Sequence, residues 1–553
     1  MMKERIQNIL LGLKVSVTRW KTYRPFMAVT TSARQVQLDL LQELLQANAS
    51  TRFGQEHGFA GIQSPEDYAQ AVSIQGYDSL QPYIEEQSRD PESHALVSEP
   101  FLFHNVTSGT TSQSKFIPVT PRVLKALQRS QDLMVYLQQK AVPGAYAGKV
   151  LGIASPAEEG VNEHGITIGS ASGRFYKNMP QVVASKYVVP YTVLEITDPE
   201  WKYYTVVLCA LQHPDITYFA TANPSTVLKL VSILNERRLD LWRDLNARKV
   251  VGLDARHHPL PDTIHACVRP TDDRLATLQP LLCGTAPLAS ETLWPQLRLF
   301  STWTGGSCGV ALKAARHAFP ASTEIIDLGY IASEIRATVT TDPIGQAGLP
   351  TFQDNFFEFV QKDAWENKRP QFLLLDALEV GQEYYIFITT FGGLYRYNMN
   401  DIILVTGYQG ECPLIRFVQK GKGVCNITGE KLYEGQVLQA IDIWGVACQH
   451  VQAVADVEQA RYVVYAELSE DTPYTEEASS RVLDDALKVL NLEYRDKRSS
   501  GRLHALTCRF MKPGALQAIK AHAVASGQRE GQFKTVLLQY RADLDFDFEA
   551  WSR

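Results

Sequence analysis

The 553-residue chain has eight cysteines and no C-x-x-C pair among them. Scattered from Cys209 to Cys508, they exclude a zinc ribbon and a disulfide framework. Reduced thiols in a cytoplasmic protein are the expectation. No run of 18 apolar residues exists, so no transmembrane helix is predicted. The net charge is −6, and no basic cluster offers a footprint for nucleic acid or for an anionic membrane. Internal repeats, low-complexity tracts and a Ser-His-Asp signature are also missing. Residues 1–13 carry no small-residue cleavage site behind their short apolar part. They read as an amphipathic helix docked on the protein's own body rather than as a signal peptide.

What is present describes a multidomain globular protein. Hydrophobic residues make up 45% and charged residues 21%, the balance of a folded chain with an ordinary core. The length exceeds what one core serves, so two or more domains are expected. From residue 96 to 334 apolar strand patterns alternate with helical ones, which indicates α/β architecture. Ser32 is expected to cap a helix reaching Ala47, and Thr120-Pro121 to open another. From residue 356 the pattern changes to a β-meander, with strands expected at 356–360, 372–377, 384–390 and 402–406. A charged, Gly-rich hinge at 419–423 then separates a large domain, 1–418, from a small α/β domain, 424–553.

The most informative stretch is Thr107-Ser108-Gly109-Thr110-Thr111-Ser112-Gln113-Ser114-Lys115. Hydroxyls with a Gly near the start and a Lys at the end are poor core material and good phosphate ligands. Gly109 permits close backbone approach. Successive N–H groups can form an anion-binding concavity. The hydroxyls donate to phosphate oxygens, and Lys115 supplies a point charge. The spacing is not that of a Walker P-loop. The alternative is a plain Ser/Thr-rich turn.

Four further features are weaker alone. An apolar strand ends in Gly305-Gly306, either a ligand-binding sheet edge or a tight turn. Another runs into Tyr330-Ile331-Ala332-Ser333-Glu334, whose acid is either a ligand group or a solvated carboxylate. Asp401 precedes an Ile/Val strand, where it can accept both hydroxyls of a ribose or cap a turn. Lys534 lies in Gly531-Gln532-Phe533-Lys534-Thr535, where a lone Lys is ordinarily a solvated charge.

Taken in order, these segments resemble the auxin-responsive (Gretchen Hagen) acyl-acid amido synthetases, in their bacterial form. The resemblance spans nearly the whole chain and includes Thr51-Arg52-Phe53-Gly54-Gln55-Glu56-His57-Gly58-Phe59, Thr302-Trp303-Thr304-Gly305-Gly306-Ser307 and Gly393-Leu394-Tyr395-Arg396-Tyr397. Ser112 and Ser114 depart from the Gly and Pro of the adenylate-forming loop. Asn400 stands where the family usually has Gly. The resemblance implies a large adenylate-forming N-terminal domain with a small mobile C-terminal one. It implies ATP phosphates on Ser108, Gly109, Thr110, Thr111 and Lys115, and adenine beside Gly305, Gly306 and Tyr330. It further implies ribose on Asp401, Mg²⁺ on Glu334 and a mobile catalytic Lys534, so that Lys534, Lys115 and Glu334 carry the catalysis.

The implied reaction joins a carboxylic acid to an amine, usually an amino acid, through an acyl-adenylate. An acyl-CoA ligase sharing the nucleotide motifs, or a non-catalytic ligand-binding relative, are the alternatives. Candidates for the acyl pocket lie between 150 and 222, among them Tyr176, Tyr191 and Phe219. A monomer is expected.

Overall fold

The computed structural model describes residues 12, 15–107, 115–251, 262–286, 288, 290–305, 308–340, 346–421, 424–428, 430–469, 474–499, 502–526, 533 and 535–553. The chain divides into two compact units. One comprises Met1–Ala222, Ile233–Thr302 and Pro320–Phe417. The other comprises Asn223–Ser232, Trp303–Phe319 and Val418–Arg553.

The first unit is built on three sheets. One is fully parallel, in the order Lys149–Ile153, Ile216–Thr221, Leu299–Thr302, Glu324–Asp327. The helix Pro199–Leu211 precedes its second strand. Asp198 starts that helix by accepting from Trp201 N at 2.9 Å, with Pro199 preset for the first turn. Every residue from Tyr203 to Leu211 is buried, as its unbroken apolar run requires. The helix Pro121–Ala141 begins at Thr120, whose hydroxyl accepts from Val123 N.

The second sheet is antiparallel apart from one short parallel pairing: Lys115–Val119, Phe103–Thr107, Thr167–Gly169, Gly160–Val161. The third has six strands: Phe356–Gln361, Glu383–Thr389, Tyr397–Gln409, Cys412–Lys420, Gly348–Pro350 and Thr338–Thr340. Its core is aromatic. Phe356, Phe357 and Phe359 are sealed, and Phe53 of the early helix Arg52–Glu56 stacks on Tyr395 with centroids 4.6 Å apart.

Two sequence expectations differ from the structure here. No strand forms over 372–377: Leu373 makes a single bridge to Phe359, and Leu375–Ala377 is a 3₁₀ turn. Pro370 has no N–H to give a ladder, and Asp376 turns outward to Arg34 at 3.0 Å. Ser32 does not cap the helix Ala33–Ala47, because the preceding chain is already helical. Its hydroxyl reaches back to Val29 O instead.

The second unit carries a four-stranded sheet in the order Thr507–Phe510, Arg461–Leu468, Cys448–Asp456, Leu538–Tyr540. The central pair is antiparallel, and each outer strand runs parallel to its neighbour. Helices Glu434–Trp444 and Glu476–Leu490 pack on it through Val437, Ile441, Leu483 and Leu487. No described helix is long and apolar enough to cross a membrane.

Candidate active site

Strand pairing brings the two ends of the hydroxyl-rich segment together. Thr107 and Lys115 are direct partners across the antiparallel pair. Ser108, Gly109, Thr110 and Thr111 lie outside the described residues, as do Gly306 and Lys534. Lys115 is half-buried, with Nζ 5.9 Å from the centre of the Tyr77 ring. Tyr77 is itself held by Phe116 N, which donates to its hydroxyl at 2.9 Å.

Glu334 sits at the tip of a tight turn. Gly329 adopts φ +83 just after the strand Glu324–Asp327, and Asp327 Oδ1 accepts from its N–H at 2.6 Å. Ile331 bridges Arg336, and Ala332 N donates to Ile335 O at 2.8 Å, which closes the turn. The turn is stapled to the strand that enters the hydroxyl segment. Asn105 Nδ2 donates to Ser333 O at 3.0 Å, and Ser333 Oγ donates to Val106 O at 3.3 Å.

Asp401 joins the same group. Its side chain is buried in the strand Tyr397–Gln409, and Tyr330 donates its hydroxyl to Oδ2 at 2.5 Å. Burial, and then the Asp401 charge, push the Tyr330 phenol well above its ordinary pKa, so it remains a donor. The Tyr397 phenol is raised by burial first and then by the Glu334, Tyr77 and Asp401 side chains, which all act on it. Tyr330 packs its ring 5.4 Å from Phe417. Asn400 has φ +50, and its N–H donates to Asn398 Oδ1 at 2.7 Å. Left-handed backbone explains the departure noted above: Asn is the side chain that best replaces Gly there.

Tyr330, Glu334 and Asp401 thus come together in the first unit, and their turn is tied to the strand Phe103–Thr107, whose pairing partner begins at Lys115. Gly305 follows the strand Leu299–Thr302 and belongs to the second unit. Among the described residues no group of three or more His, Cys, Asp or Glu could hold a metal ion. A lone carboxylate such as Glu334 fits Mg²⁺, which takes one or two protein carboxylates and fills its shell with phosphate oxygens and water.

Sequence reasoning missed Asn105 and Tyr77. Asn105 is a polar residue in an apolar strand and could have been flagged on that ground. Of the acyl-pocket candidates, Tyr176 donates its hydroxyl to Val189 O at 2.6 Å, and Tyr191 accepts from Ala157 N at 2.8 Å. Phe219 packs on Phe300. The adjacent Tyr218 turns to the opposite sheet face, as strand alternation demands. There it meets Gln138.

The sequence matches the GH3 family N-terminal domain over residues 22–323, the central domain over 349–420 and the C-terminal domain over 444–542. It is 24% identical to a jasmonoyl–L-amino acid synthetase of Oryza sativa subsp. japonica, covering 93% of this chain and 94% of the relative. It is likewise 24% identical to an indole-3-acetic acid-amido synthetase of Oryza sativa subsp. indica, covering 92% and 88%. The fold superposes on a GH3.15 acyl acid amido synthetase with a TM-score of 0.83, 20% identity and 96% coverage of both chains. On a 2-hydroxyisobutyryl-CoA ligase in its postadenylation state the score is 0.53, with 12% identity over 91% of this chain and 88% of the other. With more than half its length inside one family domain and the remaining two domains in order behind it, the chain belongs to the GH3 family and has the adenylate-forming fold.

Proposed function

We propose that this protein is an ATP-dependent acyl-acid amido synthetase. It activates a carboxylic acid as its acyl-adenylate and passes the acyl group to an amine, in the first instance an amino acid. AMP and pyrophosphate leave. One observation carries the reading: the Tyr330–Asp401 hydrogen bond, which sets a buried carboxylate beside the Glu334 turn and the Lys115 strand. The names of the rice relatives, a jasmonoyl–amino acid synthetase and an indole-3-acetic acid-amido synthetase, support the same chemistry.

In this reading Asp401 accepts the ribose hydroxyls. Gly305, Gly306 and Tyr330 flank the adenine. Ser108, Gly109, Thr110, Thr111 and Lys115 hold the phosphates, and their fixed donors stabilise charge where it grows. Glu334 holds Mg²⁺, which neutralises phosphate charge when bound. An oxygen of the acid attacks the α-phosphorus and the bond to pyrophosphate breaks. An amine then attacks the acyl carbon and the bond to AMP breaks, a step governed by proximity. Lys534 acts from the small domain, 424–553, which turns about 419–423 relative to the large domain, 1–418. The enzyme acts as a monomer in the cytoplasm. The bacterial form is a further proposal, carried by the sequence resemblance alone, since the relatives named here are plant enzymes.

The test is carboxylate-dependent exchange of labelled pyrophosphate into ATP, with Mg²⁺, across aryl and fatty acids. Exchange with any acid is expected, and Glu334→Ala and Asp401→Ala are expected to abolish it. Full exchange by either variant would remove that residue from the site. Release of AMP with amino acids but not with CoA separates the amido synthetase from a CoA ligase.

A further inference from the structure

The first unit holds a half-buried cation with no counter-charge among the described residues. Arg336 follows Glu334 by two residues, and its backbone is pinned by the bridge to Ile331 and by Thr351 Oγ1, which donates to Arg336 O at 2.8 Å. Its side chain reaches the helix Pro121–Ala141. There Nη2 donates to Gln131 Oε1 at 3.3 Å, and Nη1 lies 3.1 Å from Met134 Sδ. Thioether sulfur is a weak acceptor, and a guanidinium has five N–H donors to place. Among the described residues no carboxylate pairs with it.

The two deeply buried arginines of this unit are satisfied. Arg396 has Glu358, and Arg274 donates to the carbonyls of Leu211 and Leu293. Arg336, by contrast, is only half-buried, so its guanidinium stays accessible to a ligand.

Gln131, Met134 and Gln138 lie on one face of the helix, at i, i+3 and i+7. Gln138 accepts the hydroxyls of Tyr146 at 2.7 Å and Tyr218 at 3.2 Å, and donates to Ser301 Oγ at 3.0 Å. The tyrosines and glutamine are thereby held in place, while the surplus donors belong to Arg336.

We infer that Arg336, held beside Gln131 and Met134, receives a carboxylate of the acyl acid. The inference rests on the proposed adenylation reading and names its substrate-pairing residue. A carboxylate can come from two sources, the reacting group or a second acid group on the same molecule. A guanidinium without a partner costs stability until its guest arrives. Removing it therefore separates a binding role from a structural one.

The experiment compares the full-length wild type with Arg336→Met and Arg336→Lys, using thermal melts without nucleotide and exchange kinetics with it. The probes are hexanoate and phenylacetate, with adipate and 1,4-phenylenediacetate as their two-carboxylate counterparts. Arg336→Met is expected to melt no lower than the wild type without acid, to lose the rise in Tm that acid gives, and to raise the acid KM by about 10- to 100-fold. The KM for ATP is expected not to change. Arg336→Lys, which keeps the charge, should fall between the two.

Loss of a monoacid's effect identifies the reacting carboxylate as the guest. Loss confined to the diacids identifies a second one. An Arg336→Met protein that melts well below the wild type, or one stabilised by acid as much as the wild type, overturns the inference. So does a wild type that none of the four acids stabilises. Acid-dependent stabilisation without any pyrophosphate exchange would instead leave Arg336 assigned and refute adenylation.

Discussion

Arg396 and Glu358 meet fork to fork inside the first unit. Arg396 Nε lies 2.9 and 3.1 Å from the two carboxylate oxygens, and Nη2 lies 2.8 Å from Oε1. The side chains are 3% and 5% exposed, so the pair is nearly sealed from water. Arg396 adopts φ +44 to make this contact, and its Nη1 also donates to Ala69 O and Val72 O. The pair anchors the chain five residues before Asp401.

Breaking the pair from one side should be costly. Arg396→Met leaves Glu358 buried without its cation, and a loss of about 3–5 kcal/mol is expected. Burial already raises the Glu358 carboxyl above its ordinary pKa, against the pull of Arg396. In the variant it rises further. A raised carboxyl keeps its contribution below the unfolded pKa and loses it as pH climbs through the folded value. Urea melts should therefore show the deficit growing as pH rises above the ordinary carboxylate range, and Glu358→Leu in the same chain should recover part of it. A deficit independent of pH would contradict this account.

The Tyr330 hydroxyl is expected to act by orienting Asp401. Tyr330→Phe keeps the ring against Phe417 and removes only the donor. The KM for ATP in pyrophosphate exchange should rise about tenfold, the value of one hydrogen bond to a charged group. The acid KM should stay unchanged, and Asp401→Ala should cost more than Tyr330→Phe. An unchanged ATP KM in Tyr330→Phe would show that the bond does not matter for nucleotide binding.

At Asn400 the backbone decides. Asn400→Gly should be close to neutral in stability and in ATP KM, because Gly adopts φ +50 without strain. Asn400→Val should lose about 1–2 kcal/mol or more, since a β-branched side chain resists that conformation. Equal melting temperatures for the Gly and Val variants would exclude backbone strain as the reason.

Two buried histidines, one in each unit, should set the acid limit of stability. His104 and His450 are both held down to about 4, by burial first, with the His164 charge adding to the effect at His104. Their folded pKa lies below the unfolded value, so stability is full above about 6.5 and falls as pH drops toward 4. Each can withdraw on the order of 3 kcal/mol over that window. His104→Phe and His450→Leu should each flatten the fall in ΔG between pH 6.5 and 4 in denaturant titrations. An unaltered slope would mean that the carboxylates dominate it.

Much of the fold was legible in the sequence, because local chemistry specified it. The largely apolar run from Trp201 to Leu211 marks a helix in the sequence, and in the structure the helix starts two residues earlier, at Pro199. Residues 461–468 are rich in Val and Tyr, and the strand forms over that stretch. The hydroxyl-rich segment, the acid at 334 and the acid at 401 stood out because each is polar next to an apolar strand. Where local signals competed, reading failed. At Ser32 a capping residue sits inside a path already helical, and at 372–377 an apolar run meets Pro370 and Asp376.

The tertiary structure alone decided which of these residues meet. Asn105 and Ser333 are 228 positions apart, and Tyr330 and Asp401 are 71 apart. No periodicity encodes such a pairing; sheet register and turn geometry create it. The same holds for Arg336, whose character comes from what lies around it. A lone Arg after Ile335 is unremarkable in sequence, and only folding sets it against Gln131 and Met134 with no acid among the described residues to meet it. Sequence determined the elements through propensity and patterning, whereas charge balance in the buried site depends on contacts that exist only once the chain has packed.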